Sequence, residues 1–509
     1  MTKFLTIRCT NDDEHPYSQL SHRAWILLVA FMTMISCSEN EETLQSVHTA
    51  VIAPGVYPVK WTHGEARAKV NRGDVVAVFS TASETEQSYP YTIQTTITRA
   101  SRSTDDNDVV NLPYSLVPDF YNLSASSSQP SHSRDLAEYA TRETRNTEGG
   151  GVETFWTFDM SDLSTFPDIS SVQFRAVLKA VGTYCDVYVD ENSSLITHED
   201  AKEIAAQFDK VAYPVVTKNF GSPPIINSSS RVAILLPLAF NGGMEDELNP
   251  NGTSTGLFND RDQLPPSTDN PYSNYRNVLY LNPGLYNSKT PFFSDKWRPI
   301  LSHEFEHMVN FRYHVAKESV PVEEGKALLS EILSGYGLPN GDYLMWENIV
   351  AYQNNPSPIS LVQMEYVNEN IYGSYGMGLL WMSYLYDRFG PQAIHDMATH
   401  SLLGLEATAA VTGIPKQHLF TEWVQANIVS NTTSNKIFSY KTIDIAGNGG
   451  GNYFDTLKGF GALPQHSIPY TETQRQVHSF GVEYFTAIEP GIVIIKGNNI
   501  QALIICKKD

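Results

Sequence analysis

His303 and His307 lie four residues apart, with Glu304 directly after the first of them. On a helix, side chains at i and i+4 stand one above the other, so both imidazoles can close on a single metal ion. Glu304 then projects where its carboxylate can reach a water bound to that ion. A metal-acidified water with a base beside it is the equipment for hydrolysis. The neighbouring residues agree with a buried helix. Ile300, Met308 and Phe311 share the face that carries the histidines, and Pro299 suits a first helical turn.

Two imidazoles do not complete a site. Zinc, the metal associated with an H-E-x-x-H helix, takes at least three protein ligands and leaves one position open for water. A third histidine six residues after His307, preceded by a Gly turn, is one solution, but those positions hold Tyr313 and Asn310, and His314 is out of register. The other common solution takes a carboxylate from a second helix. The stretch 322–331 (VEEGKALLSE) offers Glu323, Glu324 and Glu331. Sixteen residues separate His307 from Glu324, enough for the first helix to end, turn and return antiparallel.

Several separated blocks, in order, resemble the hyicolysin family of bacterial glutamate zincins. They are HEFEHMVNF at 303–311, EEGKALLSEILSGYG at 323–337 and YGSYGMGLLWMSYLYDRFG at 372–390, with CDVYVD at 185–190 and SNYRNVLYL at 273–281. The resemblance spans roughly residues 170–430 and implies a zinc endopeptidase acting on protein or peptide substrates. It assigns the third ligand to Glu324, although Glu323 stands where relatives carry Asn before that glutamate. Glu331, seven residues on along the same helical face, fits an outer carboxylate orienting a ligand histidine and is the alternative third ligand. Tyr375, or Tyr372, is the implied donor to the oxyanion that forms during peptide hydrolysis.

Composition fits an exported, folded chain. Of 509 residues, 18% are charged and 41% hydrophobic, with 27 Tyr, which is not a disordered composition. A net charge of −21 argues against nucleic acid as a partner, because phosphate binding needs basic patches. After Arg23 the uncharged run Ala24–Ser36 is too short to span a bilayer and suits a signal peptide. The sequence MISC at 34–37 is similar to a lipobox, with Cys37 as the lipidated first residue of the mature chain and the only expected attachment to a membrane. A catalytically inactive surface-binding lipoprotein is the alternative function.

The elements that must position the motif follow. We expect an α+β fold: a zincin-like domain at 152–430 with a mixed strand layer and a helical lower half, flanked by a β-rich module at 38–123 and a second at 431–509, with 124–151 as linker. Val75–Phe79, Tyr91–Ile97, Phe174–Val181, Cys185–Asp190, Arg231–Pro237, Val278–Leu281, Gly491–Ile495 and Ile500–Ile505 read as strands. His198–Lys218, Tyr375–Phe389 and Leu419–Val429 read as helices. Asn241–Tyr275 reads as a long loop bordering a cleft or holding a structural cation. Cys185 and Cys506 are either paired or separately buried.

Overall fold

The computed structural model describes residues 50–82, 87–97, 151–159, 171–240, 256–286, 297–314, 318–336, 343–364, 371–430, 435–443 and 466–506. The expected leader with Cys37, the expected linker up to residue 150 and residues 241–255 of the expected long loop lie outside them. Among the described residues no helix is long and apolar enough to cross a membrane. Helices and three sheets form an α+β fold, as the pattern implies.

The middle of the chain is built on a six-stranded mixed sheet. In spatial order its strands are Gly256–Phe258, Asn277–Leu281, Val232–Leu236, Cys185–Asp190, Ser171–Val181 and Val152–Phe158. Asn277–Leu281, Val232–Leu236 and Cys185–Asp190 run parallel, and the other pairings are antiparallel. The three parallel strands are buried along their whole length. Such strands read as continuous apolar runs because both faces are covered. Val187, Ile234 and Leu279 join the main core on one face, while Tyr188, Leu235 and Tyr280 join a smaller aromatic cluster on the other.

Helices cover the main-core face. The helical stretch expected from His198 runs to Phe220, with a wider π turn at Phe208–Ala212. Phe208 and Tyr213 from this stretch pack on Phe305, which lies between His303 and His307, with ring centroids at 5.0 and 5.6 Å. The metal helix spans Trp297–Tyr313, and the returning helix spans Val320–Glu331. Next come Tyr343–Asn354, the long apolar Ile371–Phe389, and Lys416–Val429.

The two outer β segments do not stand apart from each other. Val75–Phe79 pairs with Val482–Thr486 on one side and Gln501–Ile505 on the other. Ser88–Ile97 likewise pairs with Thr473–His478 and Gly491–Gly497. Where two separate modules were expected at 38–123 and 431–509, strands from both alternate within two five-stranded sheets. The reason lies in Val75–Phe79 itself. Val76 and Val78 face the interior between the sheets, and Val75, Ala77 and Phe79 face the main core. A strand buried on both faces is a central strand, and its neighbours here come from some 400 residues away in the chain.

This sandwich is seated on the helix Lys416–Val429. Phe79 and Phe480 both pack on Phe420, at 6.1 and 5.5 Å between centroids. The Val51 and Ala53 amides donate to Glu422 and Gln425, each at 2.8 Å. Cys185 is buried, Cys506 partly so, and both are free thiols.

Candidate metal centre

Packing fixes the direction of Glu324. The returning helix crosses the long helix at a pair of glycines. A Cβ on Gly325 would lie 2.4 Å from the Gly378 carbonyl oxygen, and one on Gly378 would lie 1.8 Å from that of Pro321. No side chain fits at either position, so the two backbones touch. With Gly325 turned toward the long helix, its neighbour Glu324 is presented to the metal helix.

The result is a convergence of three donors. His303 Nε2 lies 3.4 Å and His307 Nε2 3.6 Å from the same carboxylate oxygen, Glu324 Oε2. All three candidate ligand atoms lie within 4.8 Å of one another. Zinc–nitrogen and zinc–oxygen bonds of about 2.0–2.1 Å at a tetrahedral angle put neighbouring donors about 3.4 Å apart. The two histidine–Glu324 separations match that spacing, so the donor set suits a zinc ion. The histidines keep 14% and 13% of their side-chain surface exposed against 5% for Glu324, so the centre opens toward solvent on the imidazole side.

The neighbouring glutamates sort themselves by distance. Glu331 Oε1 accepts from His303 Nδ1 at 2.7 Å. A carboxylate only accepts, so Nδ1 carries the proton and Nε2 is the nitrogen left for a metal. Glu323 approaches His307 Nδ1 no closer than 3.9 Å. Glu304 turns one oxygen, Oε2, to the Phe258 amide at 2.8 Å.

Electrostatics in the metal-free site are those of a cation trap. Burial pushes the Glu324 carboxyl up, but His307 and His303 outweigh it and hold it far below the usual carboxylate range. Burial disfavours a charged His307, yet the Glu324 charge and hydrogen bond raise it to about 9. For His303, hydrogen bonds to Glu324 and Glu331 overcome burial and hold it well above 6.5. Protons thus occupy the place a metal would take. Burial raises Glu304, opposed by both histidines, which suits a base that must also release its proton.

A second polar group lies buried between the same two helices. Lys326 donates to Glu318 at 2.5 Å and to Asn310 at 3.0 Å. Glu318 also accepts from the Gly404 amide at 2.8 Å, and its charge is kept by Lys326 against the cost of burial. His314, which fitted no ligand register, bonds Asn310 and the His400 carbonyl, each at 2.9 Å. Glu306 is wholly buried, has no hydrogen-bond partner among the described residues, and is raised by burial to about 7. Sequence reading missed this group. Its signal was a lysine two residues after a candidate ligand, on a helix whose other charged residues are all glutamates.

Tyr375 comes from the adjoining long helix, three residues before Gly378, half-buried against the main core. Tyr372 is 47% exposed. The long loop contributes more than its composition indicated. Buried Asp262 accepts from the Asn274 amide at 2.8 Å and the Tyr280 hydroxyl at 2.7 Å, which folds 256–276 onto the sheet edge.

No family model matches the chain. A curated relative, the neutral metalloprotease ShpI of Staphylococcus hyicus, is 28% identical over 225 residues. That match covers 41% of this chain and 47% of the relative, so the chain spans about half the length of the protein it resembles.

Proposed function

We propose that this chain is a metal-dependent endopeptidase that holds one zinc ion through His303, His307 and Glu324 and cuts protein substrates outside the cytoplasm. The observation that carries this reading is the convergence of both Nε2 atoms on Glu324 Oε2 at 3.4 and 3.6 Å. Similarity to a protein named as a neutral metalloprotease supports it independently.

When bound, zinc supplies an acidified water and polarises the scissile carbonyl. With zinc held there, Glu304 would be the group placed to take a proton from the attacking water and return it to the leaving amine. Glu331 holds the His303 ring in the ligating tautomer. Tyr375 is our candidate for a hydrogen-bond donor to the tetrahedral oxyanion. Export through the N-terminal leader, with lipid on Cys37, completes the reading. It predicts partition of the mature protein into detergent, which Cys37→Ser should abolish.

The test of catalysis is Glu304→Gln, which keeps size and shape but cannot take a proton. Zinc content should stay at one per chain while casein hydrolysis falls by about 10²–10⁴-fold. If wild type holds zinc and cuts nothing across a broad protein panel, the chain is an inactive binding protein on a peptidase scaffold. Undiminished hydrolysis by Glu304→Gln would remove Glu304 from the mechanism.

A further inference from the structure

The strand Gly256–Phe258 is the edge of the six-stranded sheet, paired antiparallel to Asn277–Leu281 through Gly256↔Leu281 and Phe258↔Leu279. Its other side lies along the metal helix. The Phe258 amide, instead of facing open solvent as edge amides do, donates to Glu304 Oε2 at 2.8 Å. The approach is close because residue 256 has no side chain. A Cβ there would stand 2.3 Å from Ile300 Cγ2 and 3.1 Å from Glu304 Cγ. Ile300 and Glu304 are four apart and share one helix face, so the strand crosses that face directly. The Phe258 ring extends the contact one side chain further, 6.1 Å from Phe311.

We propose that this edge strand positions the general base: the Phe258 amide fixes one oxygen of Glu304, leaving the other for water, and Gly256 permits the approach that makes this possible. The proposal rests on the peptidase reading of the site. A glutamate has three rotatable side-chain torsions, and a base displaced by about 1 Å loses on the order of 10²-fold in rate. Burial alone does not select a rotamer, whereas a fixed backbone donor does. Gly256 and Phe258 are thus positioning residues, acting through Glu304 and not on substrate atoms.

Two measurements test this. In metal-free protein, hydrogen exchange at the Phe258 amide should be at least tenfold faster in Glu304→Ala than in wild type, with Glu304→Gln between them because its amide oxygen still accepts. Equal exchange in wild type and Glu304→Ala would show that the bond is not made, and the proposal would fall. In zinc-loaded enzyme, Gly256→Ala should keep its zinc and its KM but lose kcat by about tenfold or more. Adding Ile300→Ala, which removes the atom the new methyl meets, should recover most of that loss. Wild-type kcat in Gly256→Ala, or a loss that Ile300→Ala does not relieve, overturns the positioning role. Should wild type prove inactive on all substrates, the peptidase reading fails, while the exchange rates still decide whether the strand holds Glu304.

Discussion

The helix pair of the metal centre and the β sandwich bury very different things. Between the sandwich sheets lie Val76, Val78, Ile93, Val493, Ile495, Phe485 and Ile504, with the ion pair of Glu483 and Arg475 reaching in among them. Glu483 is wholly buried, with both oxygens engaged by Tyr91 and Arg475. Among the described residues of the histidine helix and its return, the buried or half-buried glutamates are Glu304, Glu306, Glu318, Glu323, Glu324 and Glu331, against one buried lysine, Lys326. Apolar burial stabilises wherever it occurs, at about 25 cal/mol per Å². Buried carboxylates do so only with a cation to answer them. One region is therefore built for stability, and the other is built to want an ion.

If that contrast is right, substitutions should separate cleanly into those that remove the ion and those that remove stability. The largest effect is expected from His307→Ala. Two remaining donors do not hold zinc against a chelating buffer, so metal content and hydrolysis should both vanish, as read by atomic absorption and casein digestion. Full zinc retention would show that the donors lie elsewhere.

Phe485→Ala probes the opposite region. Phe485 is 2% exposed between the sheets, and its truncation should cost about 3–5 kcal/mol in denaturant unfolding. Zinc stoichiometry and kcat of the folded fraction should be unchanged. A parallel loss of zinc would mean that the two regions are not energetically separate.

Glu331→Ala should have a smaller effect than either. It removes the acceptor at 2.7 Å from His303 Nδ1 without removing a ligand. Zinc affinity should drop by about 10–100-fold in chelator competition, with one-to-one binding retained at saturating metal. Complete loss of binding would instead make Glu331 a ligand.

Acidity should move the metal-free protein least, and with a definite sign. His307 is raised to about 9 in the folded chain, so its contribution is full below its unfolded value and is lost as pH rises through 9. Glu324 is depressed, so its contribution is present above the unfolded carboxylate value and is lost as pH falls below it. Metal-free protein should therefore weaken from pH 7 to 10 in urea unfolding. Zinc affinity should strengthen over the same range, because the metal no longer competes with protons. Flat stability over that interval would show that the histidines are not held protonated by Glu324.

Much of this was legible from residue types alone. The i, i+4 spacing of His303 and His307 points to one face of a helix, and the helix Trp297–Tyr313 carries both there. Continuous apolar runs at Cys185–Asp190, Val232–Leu236 and Asn277–Leu281 declare strands covered on both faces, because burial depends on the run itself. The α+β class follows from the same periodicities.

What sequence could not decide is whatever depends on which distant segments meet. Val75–Phe79 reads as a strand by itself, but only folding places it between Val482–Thr486 and Gln501–Ile505. By residue type alone Glu323, Glu324 and Glu331 are equal carboxylates; the resemblance favours Glu324, and the contact of Gly325 with Gly378 is what sets the rotation of their helix. That rotation put Glu324 within 3.6 Å of both Nε2 atoms, Glu331 on Nδ1, and Glu323 at 3.9 Å. A helix fixes the angles between its own side chains but not its angle to a neighbour. Close packing of two backbones supplies that second angle, and nothing local to either segment encodes it.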